Sequence, residues 1–131
     1  MGVQVQVNQI GETVSKGQIR SHEVVIDRPE SKGGVDAGAM GGELLLASLG
    51  GCFMSNLLEM IRTREAAISN VKINIEGDLA QAPSRFATIR MTVSADHDDP
   101  ALLEKFVTMS ERACIVANTL RNSVDLSVTT S

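Results

Sequence analysis

The residues from Gly42 to Ile61 form the most apolar stretch of the chain and predict a long helix. Apolar residues cover nearly every side of that helix as far as Met54, and a helix that is apolar all round is typical of a buried position. The uninterrupted apolar run is shorter than the roughly 20 residues that a membrane span needs. We therefore expect this helix to pass through the middle of a soluble protein that has no membrane partner.

The chain before this helix alternates between apolar and polar residues, which predicts three strands in an antiparallel meander. The expected strands cover residues 3–7, 13–18 and 19–27. Arg20 and His22 would then lie on one face of the third strand. A glycine-rich loop over 30–42 leads into the helix, and we expect it to be the most mobile internal segment.

The chain after this helix predicts a hairpin, two helices and a last strand. The hairpin strands are expected at 71–76 and 86–95. Asp99 as N-cap and Pro100 at the first helical position begin a helix that runs to about Ala113. A further helical stretch is expected at 115–121, and alternation at Val124, Leu126 and Val128 predicts the last strand. This order is typical of a single α+β domain over residues 1–131 and not of a βαβ series.

Composition narrows the function classes. The chain has a net charge of −4, three Phe, and neither Trp nor Tyr. Without stacking aromatics or a basic cluster, nucleic acid is not an expected partner. The N-terminus lacks the charged and apolar regions of a signal peptide, so we expect a cytoplasmic protein. In that compartment cysteines are more often catalytic, metal-binding or simply buried than joined in a structural disulfide.

The two cysteines are the candidate reactive groups. Cys52 follows Gly50-Gly51 in the long helix, where the glycines let another backbone approach, and Cys114 follows the next predicted helix. Their separation matches no local metal-binding motif, so neither a metal nor a cofactor is expected. If the two helices pack side by side, the thiols could meet. A thiol peroxidase needs such a pair, because one cysteine attacks the peroxide as a thiolate and the other resolves the sulfenic acid into a disulfide. Alternatively, both are buried free cysteines that act as small hydrophobes.

Two charged residues are candidates for the surroundings of the thiols. Glu43 lies in the first turn of the helix, where an acid matches the helix dipole. It precedes Cys52 by nine residues, so it cannot touch that thiol within a straight helix. Arg20 or His22 could supply positive charge to a thiolate, although a solvated strand face also explains Arg20.

Several segments together resemble the OsmC/Ohr family, which includes osmotically inducible protein C and organic hydroperoxide resistance protein. The resemblance covers nearly the whole chain in the same order of elements. The segments that carry it are residues 20–27 (RSHEVVID), the Gly33-Gly34 loop, residues 43–52 (ELLLASLGGC) and residues 114–120 (CIVANTL).

The resemblance implies an OsmC-like α+β fold in which antiparallel sheets wrap around the long central helices of an intertwined homodimer. It also implies peroxiredoxin-like reduction of organic hydroperoxides in defence against oxidative and osmotic stress. By motif position, Cys52 corresponds to the peroxidatic cysteine and Cys114 to the resolving cysteine. Glu43 and Arg20 are the candidates for the activating acid and arginine. The implied partners are a small apolar hydroperoxide and a thiol reductant.

The sequence departs from the peroxidases of that family at three places. Gly42 stands ten positions before Cys52, where those enzymes carry an acid, and Glu43 matches the YhfA-like branch instead. Arg20 is only a candidate for the activating arginine. Ile115 and Ala117 stand where active members carry Pro and Ser. We therefore expect weaker peroxidase activity. The alternatives are a non-catalytic dimeric module that binds a hydrophobic small molecule at the subunit interface, and a stress-related scaffold with inert thiols.

Overall fold

The computed structural model describes residues 2–131. These residues form antiparallel sheets and three α-helices, which confirms the predicted α+β class. The chain divides into two compact units, one that ends at Leu45 and one that covers Leu46–Ser131. The expectation of a single domain stays a prediction.

The first unit contains a three-stranded antiparallel meander. Its strands are β1 (Gln6–Gln9), β2 (Ser15–Ile19) and β3 (His22–Ile26), in that order across the sheet. Gly17 in β2 lies opposite Val24, and a Cβ atom at this position would come within 2.9 Å of Val24 Cγ1. A short 3-10 helix, Glu30–Lys32, follows the sheet.

The structure corrects the prediction of one strand over residues 19–27. Arg20 and Ser21 form a turn, in which Arg20 has φ 53°, and Ile19 pairs directly with His22. The reason is that a two-residue turn lets β2 and β3 exchange ladder hydrogen bonds, which a continuous strand could not do within this segment. Arg20 and His22 therefore do not share a strand face.

Asp27 holds the loop that follows β3. Its carboxylate accepts backbone hydrogen bonds from Arg28 (2.7 Å), Val35 (3.0 Å) and Ala37 (3.1 Å). Burial acts to raise the pKa of Asp27, but these backbone bonds and one from the Thr13 hydroxyl outweigh it and hold the pKa at about 2. These bonds argue against high mobility in this part of the glycine-rich loop, whose mobility stays a prediction.

The first long helix, α1, covers Gly41–Thr63 and so runs from the first unit into the second. The second unit continues with the hairpin strands β4 (Ile68–Ala80) and β5 (Arg85–His97), followed by α2 (Pro100–Ala113) and α3 (Ile115–Arg121). As predicted, Asp99 caps α2 by accepting hydrogen bonds from the N–H groups of Ala101 and Leu102. The buried core of this unit consists of Leu49, Phe53, Leu57, Ile68, Phe106, Cys114 and Ala117.

One side of α1 is buried within the chain and the rest is not. The buried residues are Leu49, Gly50, Phe53 and Leu57, whereas Leu58 is 48% exposed. At 23 residues, α1 is long and apolar enough to cross a membrane by length and composition. The core helix of a soluble protein passes the same test, so one such helix is weak evidence for a membrane protein.

Both ends of the described chain depart from the predicted strands. β1 begins at Gln6, so the strand expected over residues 3–7 is largely absent, and no strand covers residues 122–131. Val3 is 95% exposed and Val128 is 87% exposed. Alternation predicts a strand only where a partner can satisfy its backbone, and these segments pair with no strand in the described chain.

Candidate functional site

The second unit brings the two thiols together. Cys52 is half-buried on α1, and Cys114 is fully buried at the break between α2 and α3. Both thiols are free, and each changes the pKa of the other, as side chains close to one another do. The two cysteine-bearing segments therefore lie close together within a single chain.

Backbone amides activate Cys52. The N–H of Val116 lowers the pKa of the Cys52 thiol below its ordinary value, and the Cys114 side chain and the N–H of Ile115 act in the same direction. Partial burial opposes them, because a dry environment disfavours a thiolate. Hydrogen bonds to the charged form favour that form, so these donors stabilise a Cys52 thiolate.

Cys114 has the opposite character. Burial raises its pKa, which the backbone N–H of Ala117 only partly offsets. The Cys114 Sγ accepts a hydrogen bond from that N–H at 3.5 Å and so caps the start of α3. The pair therefore consists of one thiol whose pKa is lowered and one whose pKa is raised.

The other two candidate residues lie in the first unit. Glu43 is exposed, and its Oε1 accepts a hydrogen bond from the Met40 N–H at 2.9 Å. This reach-back is the Glu half of a capping box, so Glu43 stabilises the start of α1. Arg20 is exposed in the β2–β3 turn.

Sequence reasoning missed the backbone donors of residues 115 and 116, since main-chain groups carry no residue-type signal. It also missed Asn56 on α1, whose Nδ2 donates to the Ser110 carbonyl at 3.4 Å. A signal for this contact was available, because Asn56 follows Cys52 by four residues and Ser110 precedes Cys114 by four. Residues four apart lie on the same helix face.

An apolar groove of about 390 Å³ lies in the same unit. Leu49 and Phe53 of α1 form part of its wall, which includes neither Cys52 nor Cys114. Residues of β5, α2 and α3 complete it, and Glu111 and Arg121, which form an ion pair, add a polar edge. The groove can accept an apolar molecule of modest size.

Among residues 2–131, no group of three or more His, Cys, Asp or Glu side chains is arranged to hold a metal ion.

The sequence from residue 34 to residue 129 matches the model of the OsmC-like protein family. The chain belongs to this family. OsmC/Ohr proteins are soluble, so α1 does not indicate a membrane protein. A search among curated proteins found no match.

Solved structures of OsmC-like and related proteins share the fold. The chain is similar to an OsmC-like protein from Mycoplasma pneumoniae, with TM-score 0.79, 15% identity, and coverage of 92% of this chain and 88% of that one. An organic hydroperoxide resistance protein from Elizabethkingia anophelis gives TM-score 0.71 and 14% identity over 92% and 89% of the two chains. An organic hydroperoxide resistance protein from Legionella pneumophila gives TM-score 0.64 and 17% identity, with coverage of 95% of this chain and 93% of that one. At such identities the likeness establishes the fold alone.

Proposed function

We propose that this OsmC-like protein is a thiol-dependent peroxidase that reduces organic hydroperoxides. The observation that carries the proposal is the pair of neighbouring free thiols, in which the pKa of Cys52 is lowered and that of Cys114 is raised. The names of two structural relatives, organic hydroperoxide resistance proteins, are consistent with this chemistry. We further propose that the protein acts in stress defence in the cytoplasm.

The proposed reaction has three steps. The Cys52 thiolate attacks the outer oxygen of the hydroperoxide, the O–O bond breaks, and the alcohol leaves with a proton while Cys52 becomes a sulfenic acid. The Cys114 sulfur then attacks the Cys52 sulfur, which forms the disulfide and releases water. A thiol reductant returns two electrons and two protons to the pair.

The roles of Glu43 and Arg20 in this reaction are part of the proposal. Glu43 already has a structural role at the start of α1, so its mutation must be separated from loss of the cap. The amides of Val116 and Ile115 give Cys52 a source of thiolate stabilisation that does not depend on either residue. We therefore expect activity even without the complete set of charged residues, though weaker than with it.

Thiol counting after treatment with a fatty-acid hydroperoxide tests the proposal. In the absence of reductant, wild type should lose both thiols, Cys114→Ser should stop at a sulfenic acid on Cys52, and Cys52→Ser should not react. If wild type keeps both thiols, the peroxidase proposal is wrong.

The apolar groove favours a second candidate function, a non-catalytic module that binds a hydrophobic small molecule. A fluorescent fatty acid without a peroxide group should then bind the Cys52→Ser variant. Leu120→Trp would fill the edge of the groove and should weaken binding, whereas Val124→Trp, at an exposed position outside the groove, should not. Equal affinities of the two tryptophan variants would exclude this groove as the binding site.

A further inference from the structure

The contact between α1 and the end of α2 contains two pairs of residues, one helical turn apart. Cys52 and Asn56 are four residues apart on α1, and Ser110 and Cys114 are four residues apart around the end of α2. Such residues share a helix face. One pair consists of the two thiols, and the other joins Asn56 to Ser110 through the 3.4 Å hydrogen bond.

The Asn56 bond lies where the backbone of α2 changes direction. In a continuous helix the Cys114 N–H would donate to the Ser110 carbonyl, but here it donates to the Glu111 carbonyl at 3.2 Å. Asn56 supplies a donor to the carbonyl that this break leaves open. Asn118 does the same from the other side, since its Nδ2 donates to the Arg112 carbonyl at 3.1 Å.

The two asparagines bond Ser110 and Arg112, which directly precede the segment that acts on Cys52. The segment 114–116, which we call the thiol corner, contains the Cys114 side chain and the two amides that donate to Cys52. The neighbouring Ser110 is fully buried, and its hydroxyl has no hydrogen-bond partner within residues 2–131. The Asn56 bond reaches the backbone carbonyl of this buried residue, so it holds the end of α2 against α1.

We infer that Asn56 is a positioning residue that ties the thiol corner to the helix that carries Cys52, while Asn118 is a second tie that joins α3 to the end of α2 and holds the bend of the corner. This inference rests on the proposed function, because it assigns the two ties a purpose in thiolate chemistry. Loss of a tie would let the corner move away from Cys52 and remove its donors.

The charged groups near the corner do not offer a simpler account of Cys52 reactivity. Cys114 is the titratable group that contacts Cys52. On the packed helices, Glu111 pairs with Arg121 and Glu59 pairs with Arg62, while Arg112 is exposed. The groups that act on the Cys52 thiol all belong to the corner.

The test is the pH dependence of iodoacetamide alkylation at Cys52, followed by peptide mass spectrometry on the reduced full-length chain. Asn56→Leu keeps a similar volume but cannot donate, and it should move the inflection upward by about one pH unit. Asn118→Ala should move the inflection upward by a smaller amount. If Asn56→Leu does not fold, the shift in Asn118→Ala decides whether the ties affect Cys52. Leu103→Ala, a truncation of a half-buried apolar residue on α2, is the control and should leave the inflection unchanged.

An unchanged inflection in a folded Asn56→Leu variant, or an equal shift in Leu103→Ala, would overturn the inference. Alkylation consumes no hydroperoxide, so the two proposals can fail separately. If the protein does not react with hydroperoxide but Asn56→Leu shifts the alkylation inflection, the positioning role of Asn56 stands and the peroxidase proposal is wrong. If the protein reduces hydroperoxide but Asn56→Leu leaves the inflection unchanged, the peroxidase proposal stands and the positioning role of Asn56 is wrong.

Discussion

Backbone amides and a neighbouring thiol are the hydrogen-bond donors that act on Cys52. The sequence was sufficient to propose Cys52 and Cys114 as a pair, because each follows a recognisable helical pattern. It could not supply the amide donors, since any residue type presents the same N–H group. The search for an activating side chain therefore led to Arg20, whereas donors of the thiol corner lie beside Cys114 in the chain.

Asp27 provides a pH-dependent contribution to stability. Its pKa of about 2 in the folded protein lies below the ordinary value of 3.8, so its contribution is present above about pH 4 and is lost as the pH falls towards 2. Asp27→Asn cannot ionise and removes this contribution. We expect urea midpoints of wild type to fall more steeply between pH 4 and pH 2 than those of Asp27→Asn. Parallel curves would show that the loop does not depend on the ionised carboxylate.

The start of α1 illustrates how one residue can suit two roles. Glu43 caps the helix through Met40, and the family resemblance also makes it a candidate for catalysis. Glu43→Ala should lower the free energy of unfolding by about 0.5–2 kcal/mol through loss of the cap. Glu43→Gln keeps an acceptor and should retain most of that stability, as thermal unfolding can measure.

The same two variants separate the roles in catalysis. If Glu43 acts only as a cap, Glu43→Gln should reduce hydroperoxide at the wild-type rate. A large loss of rate in Glu43→Gln at unchanged stability would instead assign the charge a catalytic role.

The strand predictions succeeded where the partner strand lies nearby in the chain. The hairpin of β4 and β5 and its tip at 81–84 could be predicted because alternation, length and turn residues agree. The break at Arg20 was missed because Arg20 takes the positive φ that a tight hairpin turn more often gives to Gly or Asn. The segments near Val3 and Val128 were predicted as strands because apolar and polar residues alternate there. A strand forms only where a neighbouring strand pairs with it, and these exposed segments have no such partner in the described chain.

The two glycines in α1 have different surroundings in the chain. A Cβ atom at Gly50 would collide with Ile75 Cδ1, so close packing against β4 explains this glycine. A Cβ atom at Gly51 would meet nothing within 4 Å, although a glycine inside a helix costs about 1 kcal/mol relative to alanine. Gly51 shares its helix face with Leu58, which is 48% exposed. A second copy of the chain against this face would explain both residues.

We therefore predict a homodimer in which the Gly51 face of α1 is buried. Gly51→Leu should weaken association by about 5-fold to 150-fold, since overpacking costs about 1–3 kcal/mol. Gly41→Leu is the matched control, because this glycine also has open space around it but lies at the helix start. Sedimentation that shows a folded, stable wild-type monomer at micromolar concentration would contradict the homodimer.

The thiol pair connects these features, since its two cysteines come from α1 and from the break after α2. The most direct measurement is the intact mass of the reduced wild-type protein after one equivalent of a fatty-acid hydroperoxide, with peptide mapping of the product. We predict a loss of two hydrogen atoms per chain and a disulfide between Cys52 and Cys114 within the same chain. An unchanged mass, or added oxygen on Cys52 without a disulfide to Cys114, would contradict the two-cysteine mechanism.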